Sequence, residues 1–259
     1  MNNTTNSSET QHLPVIIIGG GQAGLSASYF LQQQNIEHLV LEKHTTMHGW
    51  KHERWDSFTL VTPNWQCDLP GHPYTGDDPD GFMTPPQIVE YLNAFAEKVA
   101  APVLEGVAVH SVTTDAKGLY NVSTSAGAYT ADQVIVCSGG YHIPVIPRMA
   151  ERLPAEITQI HSAEYKNADQ LPEGAVLVVG AGQSGAQIAE DLHLEGRKVF
   201  LATGDSPRVA RFYRGKDVVR WLDDMGYYRM SVDNHPLGKN VRSNTNHYVT
   251  GRDGGRDID

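Results

Sequence analysis

The sequence predicts an α/β protein with two Rossmann-like dinucleotide-binding domains, the second incomplete, and three observations carry that expectation. A short β-branched run, Pro14-Val15-Ile16-Ile17-Ile18, ends on Gly19-x-Gly21-x-x-Gly24 and opens into a helical pattern. The same order returns at Ala175-Val176-Leu177-Val178-Val179, followed by Gly180-x-Gly182-x-x-Gly185. Each turn leads through a helical stretch to another apolar run, in a unit of about thirty residues that suits a right-handed strand-helix-strand crossover.

The elements follow in order. Residues 1–12, MNNTTNSSETQH, are polar with neither a basic start nor an apolar run, so they read as a disordered leader and not as a secretory signal. A helix is expected over Gln22 to Gln34, with Leu25, Tyr29 and Leu31 as its apolar face, and a strand over His38 to Leu41 that ends on Glu42. Thr45 to Pro86 is rich in proline, glycine, tryptophan and aspartate, and so long an irregular stretch reads as a cover over a bound molecule. Pro86 to Val99 predicts a helix with proline at its start and Ile88, Val89, Leu92, Phe95 and Val99 inward. Val103 to Ser125 alternates around Lys117-Gly118 as a small antiparallel excursion. Gln133 to Cys137 is a further strand, running into Ser138-Gly139-Gly140-Tyr141, and Pro144 and Pro147 stiffen a connector. Then come the strand at Ala175 to Val179, a helix from Ser184 to Leu194 and a strand from Lys198 to Ala202. The expected division is a leader at 1–12, a first domain at 13–171 and a second at 172–259. The final nine residues, from Gly251 to Asp259, hold no apolar strand to finish the second sheet.

Composition narrows the function. The 259 residues are 40% hydrophobic, enough for one large or two modest cores. A formal charge of −10 and a pI near 5.6 argue against nucleic acid and anionic lipid as partners. With no run of eighteen apolar residues and no signal, a cytoplasmic protein without a membrane span is expected. Cys67 and Cys137 form no C-x-x-C, which argues against a disulfide framework or a redox-active dithiol. Neither a metal-ligand spacing among the twelve histidines nor a G-x-S-x-G nucleophile motif is present.

The chemistry lies in the two turns. In the first, Gly19 permits the tight turn, Gly21 lets a pyrophosphate reach the backbone and Gly24 lets helix and strand pack closely. The helix start offers amide donors and a partial positive charge, and Glu42 would accept from ribose hydroxyls. A purely structural glycine turn is the alternative. In the second turn the residue closing the next strand is Thr203 or Gly204, not an acid, and Arg208, Arg211, Arg214, Lys216 and Arg220 follow. A 2′-phosphate needs such cations where NADH would need a carboxylate, so NADPH is favoured, with Arg208 the first choice; the other reading is a solvated basic face. Gln22 and Gln183 face either the phosphates or solvent, and Ser184, at the start of the second helix, counts with the cofactor-binding residues of its turn. Trp50, Trp55 and Trp65 either stack on a planar ligand or fill a core.

GGGQAG at 19–24, GAGQSG at 180–185, Gly49-Trp50 with Arg54-Trp55-Asp56-Ser57, Ser138-Gly139-Gly140-Tyr141 and His161-Ser162-x-x-Tyr165 together give a resemblance. From about residue 13 to 205 the chain resembles the amino-terminal part of a class B flavin monooxygenase, the group of flavin-containing monooxygenases, plant YUCCA-type enzymes and Baeyer-Villiger enzymes. Of that group's fingerprint F-x-G-x-x-x-H-S-x-x-Y/F only the second half is kept, since Ala155 and Ile157 stand at the Phe and Gly positions. The resemblance implies FAD at the first turn, NADPH at the second, and a segment from Trp50 to Gln66 that runs along the flavin. It places Asn64 near the flavin's reactive edge, where a plain turn residue after Pro63 is the alternative, and His161 in an organising or purely structural role. It further implies that NADPH reduces FAD and that O2 then gives a C4a-peroxyflavin, shielded by NADP+, that passes an oxygen atom to nitrogen, sulfur or a carbonyl carbon of a small organic substrate. A two-Rossmann flavoprotein reductase without oxygen insertion, and an inactive nucleotide-binding fragment, are the competing readings.

Overall fold

A computed structural model describes residues 10–141, 143–204, 208–231, 233 and 248–250. Packing divides the chain into two units: residues 1–53, 68–73 and 86–145 form the first, and 54–67, 74–85 and 146–259 the second.

The first unit is built on β1 (Gln11–Ile18), α1 (Gln22–Gln33), β2 (His38–Leu41), α2 (His48–His52), β3 (Asp68–Leu69), β4 (His72–Pro73), α3 (Pro85–Val99), β5 (Val103–Leu104), β6 (Val109–Thr114), β7 (Tyr120–Thr124) and β8 (Gly127–Val136). Its six-stranded sheet runs β5-β2-β1-β8-β7-β6. The first four of these are mutually parallel, and β7 and β6 add antiparallel pairs. The run Val15 to Ile18 is buried or half-buried because a central parallel strand is covered on both faces. Ile16 joins Leu13, Leu41, Val107, Val122 and Ala131 in one core, while Val15, Ile17 and Val40 form another with Ala27, Leu31 and Val103. In α3 the buried residues Ile88, Leu92, Phe95 and Val99 recur at helical spacing.

Three expectations change here. Gln11 and His12, assigned to the leader, pair with Tyr129 and Thr130 and extend β1, because β8 is long enough to offer them a ladder; residues 1–9 lie outside the described ones. Val103–Leu104 belongs to the parallel part of the sheet beside β2, so the antiparallel excursion starts only at Val109. The strand expected from Gln133 starts at Gly127, since its polar first half pairs with β7 and only its apolar second half betrays burial in sequence.

The second unit contains a one-turn 3-10 helix at Asn64–Gln66, β9 (Val176–Val179), α4 (Gln183–Leu194), β10 (Val199–Ala202), β11 (Arg208–Ala210), β12 (Phe212–Tyr213), β13 (Lys216–Asp217), α5 (Val218–Asp224) and β14 (Tyr248–Thr250). β9 and β10 are parallel, as the repeated motif requires, with Val176 opposite Val199. Trp55, Tyr165, Ala168, Ile188 and Leu192 make its core, with Val176, Val178 and Val199 packed against them. The division differs from a boundary at residue 171, and the reason is hydrogen bonding that sequence order hides. Gln187 donates through Nε2 to the Thr59 carbonyl at 3.1 Å, Asn167 through Nδ2 to Asp56 at 2.7 Å, and Arg211 through Nη1 to the Val61 carbonyl at 2.6 Å. Residues 54–67 are thereby tied to the later part of the chain. The terminal run Gly251 to Asp259 lies outside the described residues.

Candidate dinucleotide-binding sites

In the first unit the turn after β1 contains two glycines, Gly19 and Gly24, that no other residue could replace without movement. Gly19 sits at φ 109°, in the region L side chains avoid, and a Cβ there would strike the Cys137 carbonyl. A Cβ on Gly24 would strike the Gly19 carbonyl, which is the close helix-strand packing that the third glycine exists to allow. Gly21 is the N-cap of α1, no side chain caps that helix, and the space where its Cβ would lie is open for 4 Å. An uncapped helix start beside open space suits a pyrophosphate. Gln22, the first helical residue, is exposed.

Glu42 does more than the sequence suggested. Its Oε2 accepts from the Gly20 N–H at 2.6 Å and its Oε1 from the His44 N–H at 2.8 Å, so the carboxylate braces the turn while each oxygen keeps lone-pair capacity for a ribose. A Cβ on Gly20 would press within 3.1 Å of that side chain. Beyond it, Met47 donates from its N–H to the Gly20 carbonyl at 3.1 Å and opens α2, which carries the half-buried Trp50. Glu105, which pattern reading missed, accepts from both the N–H and the hydroxyl of Thr46 at 2.6 Å, and these bonds hold its carboxyl below the ordinary value. Its signal in sequence is only an acid just past a short strand.

In the second unit the arrangement repeats. Gly180 has φ 101°, a Cβ on Gly185 would strike the Gly180 carbonyl, and Gly182 caps α4 without side-chain help. Gln183 is half-buried and Ser184 exposed. β10 ends at Ala202 and leads to Thr203 and Gly204, without an acid.

The basic cluster after β10 divides. Arg211 is buried, its Nη2 lies 2.6 Å from Asp217 Oδ2, and its guanidinium also covers the Phe82 ring at 4.4 Å. Lys216 pairs with Asp224, and Arg220 pairs with Asp80 at 3.1 Å while covering Trp65 at 4.0 Å. These three are engaged within the unit. Arg214 stacks on Tyr213 at 5.1 Å. Arg208 begins β11, and its side chain lies outside the described ones.

Tyr165, the last residue of the retained half-fingerprint, explains that motif. Its hydroxyl donates to Asp191 Oδ2 of α4 at 2.7 Å, and burial together with Asp191 pushes the phenol well above its ordinary value. His161 Nδ1 accepts from the Ala163 N–H at 3.2 Å, a structural contact in the same turn. Asn64 is buried in the 3-10 helix after Pro63; its Nδ2 donates to the Asp78 carbonyl at 2.8 Å and its Oδ1 has no partner. The turn role is thus seen directly, with one amide oxygen left over. Trp55 fills the core beside Phe58, and its indole N–H, like that of Trp65, has no partner.

Neither Cys67 nor Cys137 forms a disulfide, and burial pushes both thiols up. Among the described residues no group of three His, Cys, Asp or Glu side chains is arranged to hold a metal, and no helix is long and apolar enough to cross a membrane.

Two glycine turns of this kind, each at an uncapped helix start, define the class by fold, that of two-dinucleotide flavoproteins. The chain belongs to the pyridine nucleotide-disulphide oxidoreductase family, whose profile matches residues 16–232, and within it to the class B flavin monooxygenase-like group. It is 37% identical over 231 residues to an uncharacterized CzcO-like oxidoreductase of Geobacillus kaustophilus, covering 88% of this chain and 65% of that one. It is 28% identical over 179 residues to a probable indole-3-pyruvate monooxygenase, YUCCA4, of Arabidopsis thaliana, covering 68% of this chain and 43% of the relative. The structure of a double mutant of a flavin monooxygenase from Stenotrophomonas maltophilia superposes with a TM-score of 0.72 at 25% identity, covering 94% of this chain and 72% of that one. The chain therefore spans less than two thirds of the length of these two curated relatives.

Proposed function

We propose that this chain is the cofactor-binding part of an FAD- and NADPH-dependent monooxygenase that inserts one atom of O2 into a small organic substrate at nitrogen, sulfur or a carbonyl carbon. The observation that carries the reading is the pair of glycine turns, of which only the first has an acid directly at the end of the strand that follows. In this reading Gly19, Gly21, Gln22, Gly24, Glu42 and Trp50 hold FAD. Gly180, Gly182, Gln183, Ser184, Gly185 and Arg208 hold NADPH, with Thr203-Gly204 leaving room for the 2′-phosphate where an acid would repel it. FAD, when bound, supplies hydride acceptance and reaction with O2. The chain's own part is to seat the pyrophosphates on the amides of α1 and α4 and to orient the flavin ribose through Glu42. Neither turn supplies a side-chain nucleophile, so positioning and exclusion of water are its tasks. The acidic surface fits a cytoplasmic enzyme acting on small molecules.

The protein, reconstituted with FAD, is reduced anaerobically with NADPH and mixed with oxygenated buffer in a stopped-flow instrument. A slowly decaying absorbance between the oxidised and reduced flavin bands is expected. Immediate reoxidation with stoichiometric hydrogen peroxide would replace this reading by a reductase or oxidase. Failure to retain FAD would leave a nucleotide-binding fragment without turnover.

A further inference from the structure

Between the end of β2 and the end of α2, three imidazoles stand in a column. His44 stacks on His48 with ring centroids 4.2 Å apart and planes 22° apart, and His48 meets His52 at 4.6 Å. All three belong to the first unit, and the chain that carries them is tied to the first glycine turn at two points. Glu42 accepts from the Gly20 N–H, and Met47 donates to the Gly20 carbonyl. Yet α2 has five residues, none of them buried, and its N-cap Met47 sits in the left-handed region without a side-chain cap. A helix that short does not hold itself.

We propose that the His44-His48-His52 column is a proton-operated latch: neutral rings stack and keep α2 against the first glycine turn, and protonation of neighbouring rings drives them apart, loosening α2 and the dinucleotide held there. The stacked rings place two imidazolium charges on adjacent members 4.2 or 4.6 Å apart, with His48 in the middle. Burial first, then the charges of His44 and His52, push His48 below its ordinary value, whereas Glu53 and Glu42 act the other way. Glu42 is already bonded to the Gly20 and His44 amides, and Glu105 past β5 is bonded to Thr46, with Lys51 acting on it.

The direction follows from linkage. A histidine depressed in the latched state binds fewer protons there than when released. The latch is therefore whole above the ordinary imidazole value of 6.5 and weakens as pH falls from there through the depressed value of His48. Glu105 would let go only in more acidic solution, so the two events separate on the pH axis.

The latch rests on the described side chains; its effect on flavin rests on the assignment of FAD to the first turn. Hydrogen exchange of the full chain, read by mass spectrometry over peptides from residues 44–53 and corrected for intrinsic rates, measures the first. Quenching of FAD fluorescence on titration measures the second. From about pH 7.5 to about pH 5.5, protection should fall and the FAD dissociation constant should rise, each by roughly threefold or more. Both changes should shrink to under about twofold in His48→Gln and should be clearly reduced in the double variant His44→Gln/His52→Gln, which removes the neighbouring rings and guards against a His48 variant that fails to fold. Protection that ignores pH, or that falls equally in both variants, overturns the latch. Proton-dependent protection with pH-independent FAD affinity overturns its link to the dinucleotide. Proton-dependent protection in a protein that holds no FAD at any pH upholds the latch and sinks the FAD assignment instead.

Discussion

Single residues here act mostly through backbone groups that sequence reading does not display. Glu42 was legible as an acid closing β2, but its two bonds to the Gly20 and His44 amides were not, because they depend on where the turn folds back. Tyr165 was legible only as a letter of a half-fingerprint, and the hydroxyl bond to Asp191 gives that letter a physical reason. In Tyr165→Phe the Asp191 carboxylate loses its buried partner, and urea unfolding near neutral pH should show a loss of about 1 to 3 kcal/mol. The pH profile should separate this from a plain packing effect. A tyrosine raised in the folded state binds its proton more tightly there than in the unfolded chain, so the wild type should lose stability above its ordinary value of 10.0, and the variant should not show that alkaline loss. An unchanged alkaline limb in Tyr165→Phe would assign it to another group.

At the scale of elements, periodicity did well where burial is one-sided or complete. The helix expected at Pro86–Val99 is α3, one residue longer at its start, and its inward residues are those the spacing selects, with Val89 only half-buried. Phe95 is fully buried in it, and Phe95→Ala should cost about 3 to 5 kcal/mol in the denaturant midpoint analysis of the first unit. A cost below about 1 kcal/mol would mean that α3 does not close this core. Elements were misjudged where polar strands pair, as in β8, whose first residues gain their place from the partner β7 and not from hydrophobicity. Two-residue strands such as β5 carry too few letters to show any period.

At the scale of the molecule, the second unit is discontinuous in sequence, and Arg211 is the residue that displays why. Its guanidinium joins Asp217, the Val61 carbonyl and the Phe82 face, so segments some 150 positions apart share one buried charge. Arg211→Met leaves Asp217 buried without its partner and should destabilise the second unit by about 3 to 5 kcal/mol. Limited proteolysis should then cut first within 54–67 or 74–85; cleavage confined to other regions would show that Arg211 does not anchor those segments. What the sequence alone determined is the repeated strand-turn-helix unit, the glycine positions within it and the acid that directly ends the second strand only in the first unit. Those features depend on neighbours within one crossover, where sterics at a few backbone positions leave glycine as the sole solution. What only tertiary structure decided is which basic residues remain available and which are engaged, that Glu42 braces a turn, and that residues 54–67 pack with a later stretch of chain. Those outcomes depend on contacts that span 6 residues for Arg211 with Asp217, 22 for Glu42 with Gly20 and 150 for Arg211 with Val61, and no local pattern of letters encodes which of them form.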